Sequence, residues 1–233
     1  MTNQRKYKAF NSEEDLVEIF IANLLNSTIK NSPLILREVD CWQGRADIVA
    51  AFIKDKEPFP QCKQISYLKH YTSANIIALL HKRAPRSKTY ILKYLGLSEE
   101  TINRWLFNLL QADVISITPN GCYTINEKFN IPTIELYAYE VKLSNWKRAL
   151  YQASQYKGFS NYSYVVMPAK HINPAVKNIE AFRINNVGLI QVEESGSQKV
   201  LYKPTKIKPK KKSFHLIGIA HVLHEMDSLI VKH

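Results

Sequence analysis

Residues 134–143 read IELYAYEVKL, a run rich in β-branched and aromatic side chains that contains neither Gly nor Pro. Such a run predicts a strand, and Ser144 behind it is an N-cap candidate for a following helix. With period-2 alternation, Ile134, Leu136, Ala138, Glu140 and Lys142 share one face, and Tyr137, Tyr139, Val141 and Leu143 share the other. A carboxylate and an ammonium therefore project side by side from a largely apolar strand. Burying either charge unpaired costs several kcal/mol, so the two form either a structural ion pair at the sheet edge or part of a site.

The next residues predict a helix on which Trp146, Ala149, Leu150 and Ala153 recur at helical spacing, while Lys147, Arg148 and Gln155 face away. Gln152 and Tyr156 stand four apart on one flank of its buried face. A strand from Tyr162 to Met167 follows. Near the beginning of the sequence, Asn11 and Ser12 offer an N-cap for a helix from Glu13 to about Asn26. Val17, Phe20 and Leu24 form its apolar line and Glu13 projects on that line one turn earlier, ahead of Glu14 as the acid of interest. Acids in a first turn also complement the helix dipole.

Ser32-Pro33 opens a strand from Leu34 to Trp42, and Gln43-Gly44 turns the chain into a second strand beginning RADIVAAF at Arg45. Asp47 near the start of that apolar strand is paired, cap-like or a metal ligand. Asp40, on the first strand of the hairpin, is assigned to a solvated face.

Between Asp47 and Glu140 lie 92 residues, far more than a hairpin connection needs, so the interval holds a domain. Lys54–Pro60 (KDKEPFP) and Asn130-Ile131-Pro132 punctuate its ends. Inside it, helical patterns run over Ser73–Lys82, over Ser87–Leu95, and after Gly96-Leu97-Ser98 over a third helix with Ile102, Trp105, Leu106, Leu109 and Leu110 buried. A hairpin, Val114–Ile117 and Cys122–Ile125, closes the series around Pro119-Asn120-Gly121.

The order of these pieces resembles the core of the PD-(D/E)xK nuclease superfamily: a helix with Glu13, a hairpin with Asp47, a strand ending Glu140-Val141-Lys142, and a helix with Gln152 and Tyr156. The insert resembles a winged helix-turn-helix domain. The resemblance implies an α/β fold: a mixed β-sheet flanked by helices in a restriction-endonuclease-like αβββαβ core, with an inserted winged-helix domain and a basic C-terminal extension. The expected division is 1–59 with 131–202 as the nuclease-like core, 60–130 as the insert, and 203–233 as a Lys-rich segment and C-terminal helix. Ala46 stands where the family name has Pro, a position that varies in the family.

The same resemblance implies a site. Asp47, Glu140 and the Val141 carbonyl would hold Mg²⁺ or Mn²⁺, leaving it water ligands. Lys142 would orient or deprotonate the attacking water or stabilise charge, and its ammonium pKa would fall beside a cation. Glu13 would add a ligand or hold Lys142, and Gln152 and Tyr156 would position the scissile strand. The implied activity is metal-dependent DNA endonuclease. The alternative is a non-catalytic DNA-binding regulator or assembly factor on the same scaffold, and a homodimer or larger nucleoprotein assembly is compatible with both.

Charge points to the same class of partner. Lys and Arg number 32 against 20 Asp and Glu, a net charge of +12 that favours a polyanionic partner such as nucleic acid ahead of an anionic membrane surface, although charge alone does not choose between them. In residues 60–130, nine basic residues against four acidic give about +5. Lys88, Lys93, Asn103, Arg104 and Asn108 are the expected contacts there, although Glu99 and Glu100 open the helix that corresponds to the recognition helix. The run Lys203–Lys212 (KPTKIKPKKK) carries six lysines, Lys210, Lys211 and Lys212 among them, and two prolines. It reads as a solvated linker for fixed structure and as a phosphate-binding tether for affinity.

No apolar run reaches membrane-spanning length, and the start MTNQRKYKAF lacks a signal-peptide apolar region, so a cytoplasmic protein without membrane association is expected. Cys41, Cys62 and Cys122 lack metal-ligand spacing and read as free thiols. His221 and His224 stand three apart on an expected terminal helix, without a placed carboxylate or Cys to complete a metal site.

Overall fold

The computed structural model describes residues 10–26, 32–42, 44–54 and 59–230. Gln43 of the expected turn, residues 55–58 at the start of the insert and residues 1–9 lie outside them. The chain runs α1 (Glu13–Asn26), β1 (Leu34–Asp40), β2 (Arg45–Ile53), α2 (Cys62–Lys69), α3 (Tyr71–Leu79), α4 (Lys88–Leu95) and α5 (Glu99–Gln111). It continues through β3 (Ile115–Ile117), β4 (Tyr123–Ile125), β5 (Ile134–Val141), α6 (Trp146–Gln155), β6 (Tyr162–Pro168), α7 (Asn173–Lys177), α8 (Ile179–Ile184), β7 (Gly188–Val192), β8 (Gln198–Tyr202) and α9 (Lys212–Ile230). It divides into two compact units, residues 1–52 with 135–210, and residues 53–134 with 211–233.

The first unit is α/β. Its six-stranded mixed sheet has the order β1-β2-β5-β6-β7-β8. β1 and β2 pair antiparallel, β5, β6 and β7 are parallel, and β7 and β8 return antiparallel. The alternation read from the sequence organises its two faces. Tyr139 and Val141 join Ile48, Ala50, Tyr164, Val166, Ile190 and Val192 in a core beneath Leu16, Val17, Phe20 and Ile21 of α1. Phe20 meets Tyr139 edge-on at 5.0 Å between centroids, and each such fully buried side chain contributes about 1.5–3 kcal/mol. Leu136, Ala138 and Glu140 take the opposite face, and Ala149, Leu150 and Ala153 of α6 are buried.

Two local details differ from expectation. The α6 cap is Asn145, not Ser144: its Oδ1 accepts from Arg148 N at 3.2 Å while its backbone sits at φ 28, a positive value that Asn tolerates better than Ser. Tyr156 lies just past α6, in a 3₁₀ turn over Tyr156–Gly158.

Residues 203–210 do not form a solvated linker but run pinned along the first unit. Ile207 N donates to Asn161 O at 3.1 Å, Lys210 N to Lys157 O at 3.0 Å, and Thr205 N to Asn186 Oδ1 at 2.9 Å. A Cβ at position 188 would collide with the Tyr164 ring and Pro204, so Gly is what lets this segment lie down. With its two prolines removing donors, the segment satisfies its remaining amides through side-chain and loop partners rather than a strand ladder.

The second unit holds α2–α5, the β3–β4 hairpin and α9. Ser87 and Ser98 cap α4 and α5 by accepting from Tyr90 N and Thr101 N, and Gly96 ends α4 at φ 64, so the expected turn stands between them. Arg86 and Tyr123 add a bridge beside the hairpin, exchanging backbone hydrogen bonds of 2.8 Å. Helix α2 is additional to the three helices expected in the insert. Lys54 N donates to Thr133 O at 3.0 Å, which brings the two ends of the insert together.

The stretch 203–233 is therefore not a body of its own. Its helix α9 packs on α2 and α3 and completes the insert's core. Phe214, Leu216, Ile217, Ile219, Ala220, Val222 and Leu223 are buried, more of the helix circumference than one amphipathic stripe. Cys62 Sγ donates to Asp227 Oδ2 at 2.6 Å and Lys212 Nζ to Ala78 O at 3.1 Å. Among the described residues no helix is long and apolar enough to cross a membrane.

Candidate active site

The first unit gathers its charged side chains where β2, β5 and the start of α1 meet. Glu140, on β5, is fully buried. Its Oε2 accepts a short hydrogen bond from the Tyr156 hydroxyl, which also lies 2.9 Å from the Arg45 carbonyl oxygen, and its Oε1 faces Lys142 Nζ at 3.0 Å. Burial, then the Glu140 charge, push the Tyr156 phenol far above its ordinary value, so it stays a donor at any ordinary pH.

Asp47 stands near the start of β2, its side chain 23% exposed, and its Oδ2 accepts from Val141 N at 2.7 Å, tying β2 to β5 at the residue after Glu140. The hairpin register passes from Arg37↔Ile48 to Val39↔Ala46, which sets Glu38 across from Asp47. Glu38 has φ 52, a left-handed conformation that costs about 1–2 kcal/mol. Burial first, and the Glu140 charge second, raise the Asp47 carboxyl to about 6, with the Val141 amide opposing them.

Lys142 joins the set. Its ammonium lies 3.0 Å from Glu140 Oε1, 3.1 Å from Glu13 Oε2, 3.1 Å from the Val141 carbonyl oxygen and 4.0 Å from Asp47 Oδ2. Burial disfavours the charged amine, but the carboxylates of Glu140 and Asp47 outweigh it and raise its pKa. The fall expected beside a cation belongs to a different state, in which a second positive charge shares these oxygens. Glu13 rather than Glu14 reaches the cluster, because Glu14 and Glu18 are engaged by Arg37 at 2.8 and 2.6 Å. Asp40 is exposed and accepts from Trp42 N, as a solvated turn residue does.

The chemistry of this donor set fits a hard divalent cation. Three carboxylates, Glu140, Glu13 and Asp47, and a main-chain carbonyl converge on one positive atom, the Lys142 ammonium, which stands in for a cation. Among the described residues no group of three or more His, Cys, Asp or Glu is arranged to hold a metal ion, and His221 and His224 form no such group. In this cluster one of the hard oxygens is the Val141 carbonyl, and Glu13 is reached through Lys142. Gln152 lies on the α6 flank, its Oε1 buried without a hydrogen-bond partner among the described residues. The Tyr156–Glu140 bond links residues 16 apart, and helical periodicity alone does not reveal it.

In the second unit the expected DNA contacts are dispersed. Asn103, Arg104 and Lys93 are exposed, and Asn108 is half-buried. Lys88 is spoken for: its Nζ pairs with Glu99 Oε1 at 2.7 Å, which raises the Lys88 pKa, lowers that of Glu99 and mutes the acid at the start of α5. Lys210 belongs to the first unit, whereas Lys211, 4.8 Å over the Phe214 ring, and Lys212 belong to the second.

No protein-family model matches this sequence, and comparisons with curated proteins and with solved structures likewise find no match.

Proposed function

We propose that this chain is a metal-dependent DNA endonuclease with a restriction-endonuclease-like core and an inserted winged helix-turn-helix domain that adds affinity for DNA. The observation that carries the reading is the convergence of Glu140, Asp47, Glu13 and the Val141 carbonyl on the Lys142 ammonium. The chain order α1, β1, β2, β5, α6, β6 and the adjacency of β1, β2, β5 and β6 in the sheet support the core assignment. Two helices, a short turn and a hairpin with an added bridge support the insert.

Asp47, Glu140 and the Val141 carbonyl would hold Mg²⁺ or Mn²⁺, which supplies charge neutralisation at the scissile phosphate and acidifies a bound water. Tyr156 holds Glu140 by one oxygen and leaves the other toward the cluster. Lys142, whose ammonium pairs with Glu140 in this structure, would present that ammonium to the attacking water or to the charge that develops on phosphate oxygens. Glu13 anchors that ammonium. Gln152 positions the strand being cut.

A binding-only scaffold is the competing reading, favoured by the way Lys142 already pairs with the Glu140 charge and Tyr156 already donates to it within the protein. Incubating the full chain with supercoiled, branched and single-stranded DNA, with and without Mg²⁺ or Mn²⁺, separates the two. Cleavage should need the metal and be lost in Asp47→Ala and Glu140→Ala variants that retain the fold. Cleavage undiminished in excess chelator, or in both variants, would place the chemistry elsewhere, and absence of cleavage would leave the binding scaffold.

A further inference from the structure

Residues 203–210 carry four lysines on a backbone that the first unit holds in place. Asn186 grips Thr205 with both ends of its carboxamide, accepting from Thr205 N at 2.9 Å and donating to Thr205 O at 2.9 Å. Asn161, only 7% exposed, grips Ile207: its backbone oxygen accepts from Ile207 N at 3.1 Å and its Nδ2 donates to Ile207 O at 3.2 Å. The same side chain is itself tied to β5, where its Oδ1 accepts from Leu136 N at 2.9 Å. Lys210 N closes the row on Lys157 O at 3.0 Å. From Lys206 onward exposure alternates, with Lys206, Lys208 and Lys210 exposed and Ile207 and Pro209 half-buried. The alternate lysines therefore stand along one outward edge, with successive Cα atoms of the set at most about 7 Å apart.

A run of lysines is ordinarily a solvated coil that repels itself. Here the fold instead adds another cation behind the run. Lys157, half-buried in the 3₁₀ turn after α6, donates from Nζ to the Asn185 carbonyl at 2.7 Å. Burial first, and the Lys210 charge second, lower its pKa. Among the described residues no carboxylate lies within 4 Å of the Lys157, Lys208 or Lys210 ammonium, whereas Lys206 has Glu135 Oε1 at 2.6 Å. The Asn185 bond accounts for where Lys157 sits, but not for a second lysine pinned beside it without a counter-charge. Like charges held together in this way cost free energy that a bound anion removes.

A row of cations fits an anion whose charges recur at a similar interval better than it fits a single ion, and neighbouring phosphates along one nucleic-acid strand recur in that way. We infer that Lys208 and Lys210, backed by Lys157, form a fixed phosphate rail that follows the sugar-phosphate backbone of one nucleic-acid strand. Because the backbone of the rail is held before the strand arrives, binding orders side chains alone, which a loose tether does not achieve. Contacts of this kind set position and affinity and carry no base preference. The rail is separate from the acid cluster: Asn161 N meets β5 at Leu136 O, about 13 Å along the strand from Glu140. The inference rests on the nucleic-acid part of the proposed function and is independent of metal and cleavage.

The test is binding of the full chain to a short DNA duplex in chelator, at several salt concentrations. The double variant Lys208→Gln/Lys210→Gln should flatten the slope of log affinity against log salt by about 1.8, two phosphate contacts' worth. Lys177→Gln/Lys199→Gln removes the same charge from exposed positions of the first unit outside the rail and should flatten it by much less. Without DNA, Lys210→Gln should melt at or above the wild type at low salt, since it relieves Lys157, and the difference should shrink as salt rises. No duplex binding by the wild type, an unchanged slope, an equal loss in the control pair, or a Lys210→Gln protein that melts below the wild type would overturn the inference. An unchanged slope together with capture by phosphatidylserine vesicles that needs Lys208 and Lys210 would give the edge to a membrane surface instead. Cleavage is read separately on plasmid with Mg²⁺: its absence with rail-dependent binding intact would sink the nuclease reading and leave the rail standing.

Discussion

Tyr156 donates its phenolic hydrogen to Glu140 Oε2 and thereby turns the other oxygen of the same carboxylate toward Lys142. One buried hydroxyl thus sets the orientation of a fully buried acid, as supporting residues do around metal-binding carboxylates. Tyr156→Phe keeps the ring and removes that donor. The variant should lose about 1.5–3 kcal/mol of stability, the range for a hydrogen bond to a buried charge, measured by urea unfolding at neutral pH. Metal-dependent cleavage should fall with it, and an unchanged midpoint would mean that Lys142 alone satisfies Glu140.

Asp47 carries the clearest pH signature. Its folded carboxyl titrates at about 6, above the ordinary unfolded value near 3.9, so the native state holds the proton more tightly than the unfolded chain. Its contribution to stability is fully present below about pH 4 and is lost as pH rises to 6 and beyond. Asp47→Asn keeps an acceptor for Val141 N but cannot ionise. Its stability should match that of the wild type near pH 4 and exceed it by up to about 3 kcal/mol at pH 8, read from urea midpoints at the two pH values. A gap that does not change with pH would refute the raised carboxyl.

Lys142→Ala removes the positive charge on which three carboxylates converge. Without divalent cation the variant should melt well below the wild type, because Glu13, Asp47 and Glu140 then repel one another. Saturating Mg²⁺ should restore more stability to the variant than to the wild type, about 2.7 kcal/mol at a hundredfold excess over Kd. Turnover should still fall by on the order of 10²-fold, with DNA affinity preserved. Calorimetry with and without Mg²⁺, alongside single-turnover cleavage, checks both halves. A variant that ignores Mg²⁺, or cuts at the wild-type rate, defeats the assignment.

Glu99→Gln should release Lys88 from its 2.7 Å partner. If α4 and α5 face phosphates, duplex affinity should rise a few-fold at low salt, and the salt slope should steepen by about one counterion. Titrations at several salt concentrations measure it. A weaker or unaltered affinity would assign this surface to a protein partner.

The sheet and the acid cluster were legible because both depend on local alternation. An eight-residue strand carrying Glu140 and a hairpin carrying Asp47 announce themselves by period and turn chemistry, and Glu13 shares an apolar line that α1 must bury. Helix α2 was missed: among its eight residues, CKQISYLK, only Ile65 and Leu68 are buried, too few for a stripe. The home of α9 is set by long-range packing on α2 and α3, which no local period encodes. Its one visible signal was apolarity spread too widely round the helix for a surface tail. Lys157 and Lys210 lie 53 positions apart, and only the fold pins them together.

The two-piece construction of the second unit has a consequence for biosynthesis. Residues 211–233 are made about 80 residues after residue 134, so the apolar face of α2 and α3 waits roughly 4–16 s for its cover at ordinary translation rates. During that wait β5 to β8 leave the ribosome, and the sheet can assemble around Asp47, Glu140 and Lys142 before the other unit has a finished core. A chain whose synthesis stops before Ser213 carries every residue of the acid cluster and lacks α9. Such truncated copies should be marked for aggregation or proteolysis by the uncovered helices, a built-in quality control on which copies survive.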